Sequence, residues 1–450
     1  MSASPPSSLP TDGARARSEL GRRAVDRERV RQRRAAGKRW RLLWLLVGPG
    51  VLVMLGENDA PSMLSYAATG ANLGVGFFLP FVVATFAAAY AVQEMTVRVG
   101  SVTQRGHAEL IFSRFGATWG WFSFADLALG NFLTVVTELI GLRSGLGFFG
   151  VPAWASVLTA MTLVVLVSST ARYRFWERTV LLLAIGNVVF VPVAMLAHPN
   201  WGHVGMALLT WHPLPNGPVH QTILLLVADV GATVTPWMLF FQQGAVTDKG
   251  LLASDIRYGR LDTALGAIAA ALCGIAVVVA TSVLAGHHAP LSNPSAANFA
   301  QRLAPQVGHL GASLFALGVA EAGLVALILI STSSAFAFGE VTQGPRSLNR
   351  SLREGKAFYA VLILNVALAS AVVLLPGAPL LLVVLLVNVV AVLAMPPALL
   401  LLLLLANDAE LMGPHVNTRL ANVILGAIGA GLIAAGLAFG VSVVAQGLGL

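Results

Sequence analysis

Gly56–Tyr66 reads GENDAPSMLSY, and Gly231–Phe241 reads GATVTPWMLFF. Each stretch has a glycine, a proline five residues later, then Met-Leu, then an aromatic. Each also sits inside a long apolar segment. Proline removes a backbone donor and clashes with the preceding turn, so both segments are expected to be helices interrupted at matching points, with Gly56, Pro61, Gly231 and Pro236 marking the breaks. The two prolines lie 175 residues apart in the same local pattern, which weakens the reading of each as an ordinary kink.

The rest of the chain supports a membrane setting for these segments. Of its 450 residues, 56% are hydrophobic and 11% charged, with mean hydropathy +0.78. A soluble globular domain carries roughly 25% charge, so the composition indicates an all-α polytopic membrane protein. The single cysteine, Cys273, excludes a disulfide framework and a cysteine-based metal site. The net charge of +8 does not indicate nucleic acid, because 12 of the 28 Lys and Arg lie within residues 15–41. Residues 1–41 read as a basic, disordered cytoplasmic arm, and residues 42–450 as the membrane domain. The apolar run after Arg41 leads into an acidic motif and not into a small-residue cleavage site, so no signal peptide is expected.

A spanning helix needs roughly 20 mostly apolar residues. Eleven segments qualify, near 42–70, 77–97, 117–143, 151–169, 179–198, 220–246, 261–285, 309–339, 357–376, 380–406 and 418–446. With this count, Arg98, Arg105, Arg114, Arg172, Arg174, Arg178, Lys249, Arg257, Arg260, Arg346, Arg350, Arg353, Lys356 and Arg419 all fall on the side of the basic arm. The opposite loops hold only Arg302, with Arg143 near the far end of span three. Positive residues collect on the cytoplasmic side, so the amino terminus is expected inside and the carboxyl terminus outside, in the inner membrane of a bacterium. Each broken segment opens a possible five-helix unit. Repeat one is expected over about 42–198 and repeat two over about 220–406, with an extra helix at about 418–446. Inverted units of this kind place a transporter's binding site where the paired helices break.

Asp59 sits near mid-span beside Glu57 and Asn58. An intramembrane acid faces a cavity or a partner, and no Lys or Arg lies between Arg41 and Arg98. One helix cannot place residues two apart on a single face, but an unwound segment can, so the missing partner is expected to be a cation. Glu138, deep in span three, is the next candidate. Glu321 fits an ion path or helix packing equally, Glu94 and Glu340 look structural, and Asp126 and Asp229 are further buried acids. His287-His288 reads as a solvated loop pair. Trp40, Trp44, Trp119, Trp121, Trp201 and Trp211 sit near span ends as interfacial anchors, whereas Trp237 lies beside the second break.

At this point the residues resemble a known family. GPGVLVMLGENDAPSMLSYAATGANLG, VVTELIGLRSGLGFFGVP, GATVTPWMLFF, RLDTALG and LANDAELMGPHVNTRLANVILG are similar to the first, third, sixth, sixth-loop and tenth-helix-end motifs of the NRAMP divalent-metal transporters. The stretch Glu57-Asn58-Asp59-Ala60 and the pattern Pro236–Gln243 look closer to the NRAMP-related bacterial magnesium transporters. The resemblance implies a LeuT-like fold of 11 transmembrane helices in a 5+5 inverted repeat with helices 1 and 6 broken. It also implies a divalent cation as substrate, with no cofactor. The family's metal-binding Asp falls on Asp59, its Asn on Ser62, and its proline on Ala60. Its sixth-helix Met falls on Thr235, the nearby backbone carbonyl on Ala232, and a tenth-helix Gln on Asn388. The third-helix Glu falls on Glu138, but the Asp of proton-coupled members falls on Val135. The two sixth-helix histidines fall on Trp237 and Gln242.

These departures carry chemistry. Methionine sulfur favours transition metals, whereas Thr235 offers oxygen or nothing. Glu57, Asn58, Asp59 and Asn388 are oxygen donors that suit Mg²⁺ or Mn²⁺, with Mg²⁺ kept partly hydrated. Histidine is the side chain that titrates near neutral pH, and its loss from both sixth-helix positions points to uptake without proton coupling. The expected partners are the ion and the lipid bilayer, with a monomer compatible with the pattern. The alternatives are a proton-coupled Mn²⁺/Fe²⁺ symporter and a LeuT-fold carrier of a small organic solute. A hydrolase is disfavoured because no His-Glu-x-x-His or nucleophile motif is present.

Overall fold

An apolar segment in hydrocarbon can satisfy its own backbone only by helical bonding, and the described residues form helices joined by short links. The structure is a computed structural model that describes residues 48–214, 219–285, 295–344, 347–375 and 380–447. The basic arm over 1–41, the first residues of span one and His287-His288 lie outside the described residues.

Span one is two helices, α1 (Pro49–Gly56) and α2 (Ala60–Leu73). Span two is α3 (Phe78–Thr103), followed by a linking helix, α4 (His107–Phe115). Spans three and four are α5 (Ala117–Gly147) and α6 (Ala153–Ser168). Span five is α7 (Tyr173–Ala184) and α8 (Phe190–Leu196) joined by a 3-10 turn, and α9 (Trp201–Leu209) follows it. Span six is again two helices, α10 (Val219–Gly231) and α11 (Pro236–Lys249). Spans seven to ten are α12 (Ile256–Ser282), α13 (Ala296–Val341), α14 (Lys356–Val373) and α15 (Leu380–Ala406). A short turn, α16 (Ala409–Met412), leads to α17 (Arg419–Gly447).

Nine helical segments among the described residues are long and apolar enough to cross a membrane. The other two expected spans are shorter: α6 has 16 residues, and α1 and α2 have 8 and 14. Several boundaries lie more than a turn from expectation, including the end of α3 at Thr103 and the start of α12 at Ile256, and two have a visible local cause. Span five begins at Tyr173 because Tyr173, Trp176, Glu177 and Val180 form a buried stripe, with the charges of Arg174 and Arg178 on the flanks. Span eight is extended back to Ala296, but Gly308, with φ of 70°, divides the added piece from the predicted segment.

The loops expected to share one side do meet at one end of the bundle. Arg260 at the start of α12 pairs with Glu94 of α3 at 2.7 Å. Arg114 in the last turn of α4 pairs with Glu410 of α16 at 2.9 Å. Ser347 donates to Asp248 of α11 at 2.6 Å, and the Tyr173 N–H donates to Asn349 at 3.1 Å. Glu340 caps α4 by accepting the Ala108 N–H at 2.9 Å, so Glu94 and Glu340 are both engaged in structural bonds. At the other end, Arg143 donates to the Val373 carbonyl at 2.8 Å, a cation on the last turn of α14.

The core is built on the second halves of the broken helices. Every residue of Ala60–Gly70 and of Pro236–Val246 is buried, and a helix buried all round lies inside a bundle. Against them run α5 and α13, close enough that the Gly145 position of α5 rests on the Ala316 carbonyl. Small residues permit such backbone approach between membrane helices. Gly145→Leu is therefore expected to lower stability by about 1–3 kcal/mol through overpacking. Gly147→Ala, with open space around it, should change little; thermal unfolding of the two purified variants checks this.

Candidate metal centre

The site begins where α1 loses its helical bonding. Glu57 N–H reaches the Val53 carbonyl at 3.2 Å and Asn58 N–H the Leu55 carbonyl at 3.2 Å, and there the ladder stops. Asp59 is extended (φ −78°, ψ 174°), and its Oδ1 accepts the Ser62 N–H at 2.8 Å. Asp59 is thus the N-cap of α2, with Ala60 and Pro61 in the first turn, where a missing N–H breaks no bond. Pro61 does not bend a continuous helix; it starts the second half.

Span six repeats this arrangement. Gly231 is the last helical residue of α10, Ala232–Thr235 are unwound, and Pro236 opens α11. Thr235 is extended (φ −122°, ψ 151°) and leaves the α11 N-terminus without a side-chain cap. Its hydroxyl instead donates to Glu57 Oε1 across the bundle. The two breaks therefore touch. Among the described residues no backbone N–H outside the regular helices donates to the carbonyls of Ala232, Thr233 and Val234.

The predicted residues are buried together but do not all point to one place. Glu57, Asn58, Asp59, Ser62, Thr235, Asn388 and Glu138 are each at most 5% exposed. Glu138 Oε2 accepts the Ala60 N–H at 3.1 Å, so α5 holds the first turn of α2 next to Asp59. The Gly231 position lies against the Asn388 carbonyl, which brings α15 to the end of α10. Glu57 Oε2, Asn58 Oδ1, Glu138 Oε1 and Asn388 Nδ2 are buried with no hydrogen-bond partner. The Asn58 amide, by contrast, donates to the Ala270 carbonyl of α12 at 3.0 Å. The Trp237 ring stands over Gly56, and its backbone carbonyl accepts the Ser333 hydroxyl at 3.0 Å. Gln242 donates to Thr263 of α12 at 2.9 Å, about 10 Å along α11 from Thr235.

A narrow cavity adjoins the break, lined by Asn131 and Thr134 of α5, by Thr235 and Trp237, and by Val387 and Ala391 of α15. Among the described residues no three His, Cys, Asp or Glu side chains converge as a metal cluster. An ion held here would draw on carbonyl, hydroxyl and amide oxygens as well as carboxylates, the donor set of a hard cation. Among the described residues no ion pair reaches Glu57, Asp59 or Glu138, so none of their basic side chains balances these acids.

Sequence reading gave three supports no role. Asp262 of α12 accepts the N–H groups of Gly48, Gly50 and Val51 at 3.0, 2.7 and 3.2 Å and so caps α1 from another helix. The clue is that Pro49 opens a helix whose own cap position, Gly48, has no side chain. Glu177 of α7 and Lys249 of α11 form an ion pair at 2.8 Å, with side chains 1% and 3% exposed. Asp229 of α10 accepts the hydroxyls of Ser65 and Thr69 at 2.7 and 2.8 Å, joining α10 to α2. It carried the same signal as Asp59, an acid in an apolar run without a basic neighbour.

Residues 50–442 match the Nramp model, described as natural resistance-associated macrophage protein-like. The chain belongs to the Nramp family. It is similar to the divalent metal cation transporter MntH 1 of Pseudomonas aeruginosa, at 30% identity over 55% of this chain and 58% of that one. It is also similar to the divalent metal cation transporter MntH of Brucella suis biovar 1, at 28% identity over 64% and 65%. The chain thus spans about three fifths of the length of these curated Nramp relatives. A manganese transporter of Eremococcus coleocola, solved with an aromatic bis-isothiourea substituted compound, superposes with TM-score 0.74 at 20% identity, over 90% of this chain and 88% of that one. MhsT in complex with L-phenylalanine gives TM-score 0.55 at 12% identity, over 88% and 98%. These likenesses show the LeuT-like fold of the Nramp family, with its first and sixth helices broken.

Breaking one half of a buried ion pair costs about 3–5 kcal/mol. Glu177→Gln, which leaves Lys249 without its carboxylate, is expected to destabilise by about that much, and Glu177→Gln/Lys249→Met to recover most of it. Melting curves of the two proteins in detergent check the sign.

Proposed function

We propose that this Nramp-family protein is a secondary transporter that takes up divalent cations, Mg²⁺ and Mn²⁺, by alternating access and without proton coupling. The observation that carries this reading is the contact of two unwound segments through Thr235 and Glu57, beside backbone carbonyls and the Asp59 carboxylate. No Met, Cys or His occupies either unwound segment, Glu57–Asp59 or Ala232–Thr235. Hard oxygen donors bind Mg²⁺ and Mn²⁺ and give no advantage to softer metals. The proposed ion ligands are Asp59, Glu57, the Asn58 oxygen, the Ala232 carbonyl, Thr235 and Asn388. Ser62 holds Asp59 in place through its N–H.

The orientation that fits the charge distribution puts the amino terminus in the cytoplasm and the carboxyl terminus outside, in the inner membrane of a bacterium. Repeat one is then about 42–198, repeat two about 220–406, and the eleventh helix stands apart. Rocking of one repeat against the other would expose the break to each side in turn. The inside-negative potential supplies about 4.6 kcal/mol for a divalent ion at 100 mV, from 2.3 per charge. Histidine is missing from both sixth-helix positions where the family carries it, so α11 itself supplies no imidazole to shuttle protons, although the buried ring of His107 of α4 packs on Phe240 of α11 at 4.7 Å. Glu138, with one unpartnered oxygen beside Asp59, supports the alternative of proton-coupled Mn²⁺/Fe²⁺ symport, and proton flux separates the two.

Three outcomes are expected in proteoliposomes. Asp59→Ala reduces metal uptake to background, and normal uptake would refute the assigned site. Thr235→Met shifts selectivity toward Mn²⁺ or Cd²⁺ over Mg²⁺ by about tenfold, or about 1.4 kcal/mol; unchanged selectivity would reject the argument from ligand softness. Mg²⁺ uptake leaves the lumen pH constant, as read by a trapped proton-sensitive dye, and a metal-dependent proton flux would instead establish symport.

A further inference from the structure

Asp229 is a fully buried carboxylate that the metal centre does not use. It faces Ser65 and Thr69, four residues apart on one face of α2, and both hydroxyls donate to it. Among the described residues no ion pair reaches it. The helices packed against α10 are α2, α15 and α17, and the only Lys or Arg on any of the four is Arg419. Arg419 opens α17, whereas Ser442 near the far end of α17 meets His220 at the start of α10. That separation is about 35 Å along the helix, and His220 itself is about 13 Å from Asp229. A buried carboxylate without a basic partner needs a proton or a cation.

A second observation points to the cation. The Tyr66 hydroxyl is fully buried and has no hydrogen-bond partner. It lies within charge-interaction range of Asp229, Glu57 and Asp59. Its ring is seated against Gly274 of α12, whose missing side chain leaves it room. Carboxylate, two aliphatic hydroxyls and a phenol form a set of hard oxygen donors, and Ser65 stands about 9 Å beyond Asp59 along α2. An ion one station away from the break would keep most of its water, as Mg²⁺ prefers.

We propose that Asp229, Ser65, Thr69 and Tyr66 form a second station for a partly hydrated divalent cation, between the α2–α10 end of the pathway and the metal centre. The station rests on the transport reading for its role but not for its occupancy. It receives the ion before the breaks do, and Tyr66 spans the step from Asp229 to Glu57 and Asp59.

The test uses the full chain in nanodiscs, with Mn²⁺ counted by its EPR signal. Asp59→Ala, which disables the centre, is expected to retain bound Mn²⁺, and Asp59→Ala/Asp229→Asn to lose it. In proteoliposomes, Asp229→Asn and Tyr66→Phe each raise the Mg²⁺ KM more than they lower kcat, by about tenfold for Asp229→Asn, the worth of one bond to a charged group. Asp229→Asn keeps acceptor and shape, and Tyr66→Phe removes only an unpartnered hydroxyl, so both variants are expected to fold. A role confined to tying α2 to α10 would lower the melting temperature without changing Mn²⁺ retention or KM. Loss of all Mn²⁺ in Asp59→Ala, or an unchanged KM in both single variants, overturns the station. Wild-type protein that binds Mn²⁺ but moves no divalent metal refutes transport, while the Mn²⁺ count still decides the station.

Discussion

The hydrogen bond from Thr235 to Glu57 joins the two points where the chain gives up helical bonding inside an apolar bundle. Unwound backbone in hydrocarbon carries polar groups that water cannot reach, so it is tolerated only where protein or a polar cavity surrounds it. Two breaks that face each other meet this constraint jointly. Each shields the other from lipid, and each contributes polar atoms to the same interior space. The burial of α2 and α11 along their whole first three turns follows, because the helices that continue from the breaks must also lie inside the ring formed by the others.

Each polar group at the breaks is then held by a different helix. Asp262 of α12 caps α1, Glu138 of α5 accepts the first N–H of α2, and Asp229 of α10 binds α2 further along. The Glu177–Lys249 pair fastens α7 to α11. These bonds run between the broken helices and their surroundings, and not within one helix, so they set the positions of α1, α2, α10 and α11 individually. The two halves of each broken helix are thus anchored separately, to different neighbours.

Much of this was legible beforehand. The breaks were marked by Gly56, Pro61, Gly231 and Pro236, and the halves end and begin at or next to those residues. The common side of the basic loops followed from counting spans, and the loops are joined there by Arg260–Glu94 and Arg114–Glu410. Other parts were hidden. Pro61 and Pro236 marked the interruptions, but that each opens the second half as a helix start depends on φ and ψ of Asp59 and Thr235. Asn58 and Gln242 carry the right atoms for an ion path yet bond to α12, because helix rotation about its axis is set by packing and leaves no trace in local sequence.

The amino-acid sequence by itself determined that this chain is a helical membrane protein with two matching interruptions, because hydropathy, proline placement and charge sidedness are local properties that each segment carries alone. It also determined the chemistry on offer: carboxylates, amides and hydroxyls at the breaks, without sulfur or imidazole. Only the tertiary structure decided which of these atoms face one another. The pairing of Thr235 with Glu57, of Glu138 with Ala60, and of Asp229 with Ser65 and Thr69 joins residues 178, 78, 164 and 160 positions apart. Contacts at such separations arise from how helices pack and rotate against each other, a many-body outcome of side-chain volume that no single segment encodes.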